Sequence, residues 1–199
     1  MTSQALAKWQ TTRSRELDQL LHAHARIGGG GPGRRYATEQ LNFAYLVAVA
    51  AHFQGFCRDL HSEAVDAFTA AVPSPISGIL RSTLTKSRSL DRGNANGSTI
   101  AEDFARLGMD PFWDLVMAEG GKIRTARRRH RMEQMNMWRN AIAHDSFEQY
   151  QSKSAQLDNR IKPRMIEGKR CRTACNLLAA QMTSAVGTFL QRLVGKVPW

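Results

Sequence analysis

Apolar residues recur along this chain at spacings of three and four, the period of an amphipathic helix, nearly from end to end. Between Ser3 and about Ile27, Leu6, Trp9, Leu17, Leu20 and Leu21 fit one helix with a polar middle turn. Gly28 to Gly31, Pro32 and Gly33 end it and read as a linker; the Lys-Ser/Thr of a phosphate-cradling loop is missing. A longer helix is predicted from about Ala37 to Ala71, with Thr38 at its N-cap and Pro73 and Pro75 stopping it. Leu41, Tyr45, Ala48, His52, Phe56 and Leu60 share one stripe of that helix, with Val49, Phe53 and Val65 beside it, so it is the expected central core helix.

Helical spacing returns from Ile79 to Leu90 and breaks in the turn-rich stretch Asp91 to Gly97. Ser98 or Thr99 is predicted to cap a short helix to Leu107, with Glu102 and Asp103 in its first turn and Gly108 after it. Asp110 and Pro111 begin another through Met117. A helix from Lys122 to about His144 follows, then a polar stretch without period, Gln149 to Asn159. The last helix, about Met165 to Gly195, is expected to bury Leu177, Leu178, Met182, Val186, Phe189, Leu190 and Leu193. No strand is predicted. The expectation is an all-α bundle of two long core helices, one basic helix and short connecting helices. Residues 1–35 form an N-terminal helix and Gly-rich linker, and residues 36–199 the helical domain.

A length of 199 residues allows one sizeable core. Charge narrows the partners: 28 Lys and Arg against 17 Asp and Glu leave +11, with a pI of about 10.3. Such an excess attracts phosphates, so nucleic acid or another anionic surface is favoured over a merely solubilising charge. Cys57, Cys171 and Cys175 are odd in number and include no Cys-x-x-Cys, so no disulfide framework is implied and a reducing cytoplasm is the expected compartment. Cys171 and Cys175 share a helix face but lack two further metal ligands at suitable spacing. The longest apolar-leaning stretch, Phe43 to Ala51, is far short of a membrane span, so no membrane partner is expected. Met1 to Gln4 lacks the layout of a secretory leader.

The basic helix carries the chemistry. Six of the ten residues from Lys122 to Arg131 are cationic: Lys122, Arg124, Arg127, Arg128, Arg129 and Arg131. Met135, Trp138 and Ile142 form an apolar seam, while Arg129, Glu133, Asn136, Asn140 and His144 form a polar one. Arg139 lies beside the polar seam near the helix end. The five arginines from Arg124 to Arg131 are the candidate RNA-binding set, and Arg139, Asn140 and His144 the candidate catalytic set. In RNA the 2′-hydroxyl sits next to the scissile phosphate. A histidine can deprotonate it near neutral pH. An arginine fork can stabilise the charge that develops on phosphorus, and an asparagine can hold a phosphate oxygen or orient the imidazole. The nucleophile belongs to the substrate, so no metal or other cofactor is required; the products would be a 2′,3′-cyclic phosphate and a 5′-hydroxyl.

An Arg followed by a His after four to six residues also occurs at Arg15 to His22 and at Arg124 to His130, so the spacing alone does not select this reading. Two others stand beside it. The basic helix can simply grip nucleic acid or a partner helix, with no catalysis. Alternatively, His144-Asp145 can be an HD-type pair of a metal phosphohydrolase, with His130 and Asp158 as further ligands.

The segment Arg139-Asn140-Ala141-Ile142-Ala143-His144, late in a helix of a small all-α domain, resembles the Arg-x4-6-His signature of the HEPN superfamily, in which a polar residue commonly follows the arginine. The stretch Leu46 to Leu60, ending Phe53-Gln54-Gly55-Phe56-Cys57-Arg58-Asp59-Leu60, is similar to the long early helix of that family. Gly93-Asn94, Ile100 to Gly108 and Phe112-Trp113 are similar to a connecting segment of its prokaryotic ribonuclease-like branch. The resemblance spans roughly residues 36 to 195. It implies a helical bundle that dimerises around a composite site, and metal-independent endoribonuclease activity in toxin–antitoxin or anti-phage defence, with a cognate antitoxin or defence partner. Arg139, Asn140 and His144 carry over. Where related early helices often hold an acidic residue, this chain has His52, which is either a second acid/base group or a core histidine. The family also includes inactive members that serve as binding modules.

Overall fold

The computed structural model describes residues 2–28, 38–148, 162–195 and 198–199, and they form an all-α bundle with no strand among them. The chain opens with α1 (Gln4–Lys8), a π-helical turn (Trp9–Arg13) and α2 (Ser14–Gly28). Next come α3 (Glu39–Thr69), α4 (Ile76–Thr85), α5 (Ser89–Arg92), α6 (Gly97–Ala105) and α7 (Phe112–Gly120). The basic helix α8 (Lys122–Ala143) and the long α9 (Met165–Val194) complete it. Of the two expected loops, Gly28 is the last residue of α2, while the rest of the Gly-rich linker and Gln149 to Asn159 lie outside the described residues.

Helix α3 is the axis of the bundle. Tyr45, Val49, Phe53, Phe56, Leu60 and Val65 are fully buried, whereas Leu41, Ala48 and His52 of the expected stripe are half-buried at its edge. It packs on α9 closely enough that a Cβ at Gly168 would fall 2.8 Å from the Tyr45 ring, so only glycine fits that crossing. The N-terminal segment joins the same core: Ala5, Trp9 and Leu17 are buried, and the Trp9 indole N–H donates to Asn176 Oδ1 at 3.0 Å. Glu63 of α3 caps α1 by accepting from Ser3 Oγ and from the Gln4 and Ala5 amides.

Several local expectations are corrected. Leu177 and Leu193 are exposed rather than buried, because Leu178, Met182, Val186 and Leu190 take the core face of α9 and leave the other two toward solvent, Leu177 along the edge nearest α8. The helix of residues 97–105 is capped by Asn96, whose side chain accepts from the Thr99 amide, so neither Ser98 nor Thr99 is the cap. Asp103 does not support its own helix. It is buried and accepts from the Ser89 and Leu90 amides, starting α5 inside the stretch expected to be continuous with α4. The core histidine is His61, not His52: it is fully buried, edge-on to Phe104, with Nε2 3.0 Å from the Asp103 carbonyl. Burial pushes its pKa down to about 4, so the ring is neutral and Nε2–H donates.

Candidate functional site

Helix α8 begins after Gly121, whose φ of +80° only glycine adopts freely, and runs 22 residues past α7, α3 and α9. Met132, Met135, Trp138 and Ala141 are buried along it, which fixes its rotation. The helix ends in a Schellman-type turn: Ser146 N–H donates to the Ala141 carbonyl and Asp145 takes a left-handed conformation at φ +45°. Phe147 then packs on Phe43, 5.4 Å between ring centres, anchoring the chain beyond the turn. His144 is left exposed at the helix tip.

The three candidate catalytic residues differ in their surroundings. His144 is exposed and Arg139 half-buried, and among the described residues neither side chain has a hydrogen-bond or ion-pair partner. Asn140 is engaged: its Oδ1 accepts from Asn94 Nδ2 at 2.8 Å. Its amide nitrogen, not its oxygen, remains to meet a phosphate. Arg139 and His144 are five positions apart, which places them about 140° apart around the helix axis.

The polar seam that leads toward Asn140 is a structural one. Asn136 is buried and donates to the Ala95 carbonyl at 2.9 Å, and Glu133 Oε1 accepts from the Gly97 amide at 2.6 Å. The Trp113 indole N–H donates to the Gly97 carbonyl at 2.7 Å. Arg129 is half-buried and lies over that indole, 4.3 Å from its centre, so it faces the loop of residues 94–97 as well as solvent. Burial lowers the Arg129 pKa, opposed by Glu133 and Asp114. The seam therefore clamps the loop of residues 94–97 instead of continuing the cationic face. Asn94, the residue that fixes Asn140, was named in the sequence only within the HEPN-like connecting segment; nothing local marks it as a partner for a residue 46 positions away.

His52 does not join this region. Its Nε2 lies 3.3 Å from Glu16 on α2, with burial lowering the ring pKa, Glu16 raising it and Arg13 lowering it. On α3, Gln54 is about 200° around the helix from His52. Gln54 reaches the other way, donating to the Leu90 and Gly93 carbonyls beside Asn94. His52 thus belongs to the α2–α3 contact.

Cys57, Cys171 and Cys175 are free and buried; burial pushes the Cys171 thiol up to about 12 and the other two upward as well. They are inert packing groups. Among the described residues, no three His, Cys, Asp or Glu side chains come together as a metal site would require, and no helix is long and apolar enough to cross a membrane.

The remaining arginines stay on the surface. Arg124 and Arg127 are exposed and Arg128 and Arg131 half-buried. The last three line an open groove of about 490 Å³ between α8 and α9. Comparison with known proteins found no matching family model, no matching curated protein and no matching solved structure.

Proposed function

We propose that this protein is a metal-independent endoribonuclease in which His144 moves the proton of the 2′-hydroxyl and Arg139 stabilises the charged phosphorane. The observation that carries the reading is the pairing of an exposed imidazole and an unengaged guanidinium at one end of a cationic helix. In a fold that ties up most of its other polar seam, two such groups without partners among the described residues are available to an external phosphate. Their divergence of about 140° on one helix argues for a composite site, in which a second copy supplies the facing group. Asn140, fixed by Asn94, is a positioning residue that holds the rim of such a site. Arg124 and the other exposed cations of α8 would meet flanking phosphates. The HEPN resemblance adds the expectation of a toxin or defence role with a cognate partner.

The test is cleavage of end-labelled RNA with a chelator present. The wild type should release 2′,3′-cyclic phosphate ends, detected by mass spectrometry. His144→Ala should lower the rate by about 10²–10⁴-fold, and Arg139→Ala by about 10²–10³-fold. RNA affinity should change far less. Two inactive variants mixed as a heterodimer should recover part of the activity if the site is composite.

A second reading, an RNA-binding module without catalysis, draws on the engagement of Asn140 by Asn94, which gives that side chain a structural role in the fold. It prevails if the wild type binds RNA but never cleaves it.

A further inference from the structure

Helices α8 and α9 leave a trough between them, away from Arg139 and His144, whose apolar residues the cleavage reading does not use. Its two long walls are cationic: Arg127, Arg128 and Arg131 from α8 face Lys169 and Arg170 from α9. No Asp or Glu lines it among the described residues. The nearest acid on α9, Glu167, accepts from the Arg164 amide and closes the capping box of its own helix. Arg131 Nη1 donates to Gln134 Oε1, a neutral partner that leaves its charge uncompensated.

The floor is aliphatic. Ile166 and Leu177 mark its ends, 46% and 43% exposed, and Thr173 and Ala174 lie between them. The two anchors are eleven positions apart on α9, about 16 Å along the axis. Two large exposed aliphatics on one helical stripe, with Lys169, Arg170, Thr173 and Ala174 between them, form a mixed apolar and cationic surface on which another helix can set side chains at three- and four-residue spacing. An exposed apolar strip is costly to keep in water and marks a contact surface when it is flanked by charge. Five cations with no carboxylate among the described residues of the same lining repel one another, and a matching anionic occupant relieves that repulsion.

Single-stranded nucleic acid fits this trough less well. Bases bind through stacking platforms, and no aromatic residue lines it. Phosphates would be served by the arginines alone and gain nothing from Ile166 and Leu177.

We propose that the α8–α9 groove docks an acidic amphipathic helix of a partner protein, its apolar stripe on Ile166, Ala174 and Leu177 and its carboxylates against the five flanking cations. The proposal does not depend on the cleavage reading. Where RNA also touches Arg127 or Arg128 the two ligands compete, and the apolar anchors separate them.

The probe is a labelled synthetic helix of about 15 residues, roughly four turns, with Leu at i, i+4, i+7 and i+11 and Glu on both flanks. A shuffled peptide of equal composition is the control. Fluorescence anisotropy with the full chain should show binding that weakens with salt. The shuffled peptide should bind at least about tenfold more weakly, since it cannot bury its leucines together. Leu177→Glu and Ile166→Glu, both at exposed positions and checked for unchanged thermal unfolding, should each weaken the matched peptide at least about tenfold. They should weaken a uridine oligonucleotide by a clearly smaller factor, the part due to the added carboxylate alone.

Absence of binding by the matched peptide overturns the proposal. Equal binding of the shuffled peptide overturns it too, because charge alone then explains the affinity. Equal loss of the oligonucleotide and the peptide in Leu177→Glu assigns the groove to nucleic acid instead.

Discussion

The first half of α8 and the polar seam of its second half look alike as sequence, both being polar stripes at helical spacing, yet the bundle uses them differently. The seam is turned inward: Glu133, Asn136 and Asn140 hold the loop of residues 94–97, and Arg129 covers Trp113. The arginines at 127, 128 and 131 are turned outward over a groove with an aliphatic floor. The difference lies in what faces each stripe. The seam meets backbone amides and carbonyls of a connecting loop that would otherwise lack partners, whereas the arginine face meets a second basic helix surface and open solvent. Polarity on a helix therefore marks a need for a partner without telling whether that partner is internal. The histidines divide the same way, with His61 consumed by the core and His144 left at the surface.

The sharpest break of this comparison comes at Trp113, which ties the clamp together. Trp113→Ala empties a nearly buried indole site, removes the bond to Gly97 and strands Arg129. A loss of about 3–5 kcal/mol in unfolding free energy is expected by urea denaturation. A loss below about 1 kcal/mol would mean that the seam is not an internal clamp.

Acid should act through the inward histidine. The folded His61 pKa of about 4 lies below the ordinary unfolded value near 6.5. The unfolded chain therefore binds the proton first as pH falls. Stability is complete above about pH 6.5, declines down to about pH 4 and changes no further below that through this group, by about 3 kcal/mol in all. Thermal melts across that range should show the decline, and His61→Gln, which keeps a donor toward the Asp103 carbonyl, should remove this component.

A smaller effect distinguishes the two faces directly. Asn136→Ala leaves the Ala95 carbonyl without its donor and should cost about 1–3 kcal/mol. Arg128→Ala on the outward face should change stability by no more than about 0.5 kcal/mol. Equal costs at the two positions would erase the distinction.

The all-α architecture and the positions of α3, α8 and α9 were legible along the chain, because i, i+3 and i+4 apolar spacing is a local property written within each helix. The stripe Tyr45, Phe56 and Leu60, the proline stop after α3 and the exit of α8 at His144 all needed no distant contact to be read. What the tertiary structure alone decided is the partner of each polar or apolar side chain that periodicity leaves ambiguous. Asn140 meets Asn94, His52 meets Glu16, Asp103 caps a neighbouring helix, and Leu177 faces outward beside the arginines. Helical spacing sets the angle at which a residue leaves its own axis; which helix or loop stands at that angle depends on how remote segments share the core, and that is not a local quantity.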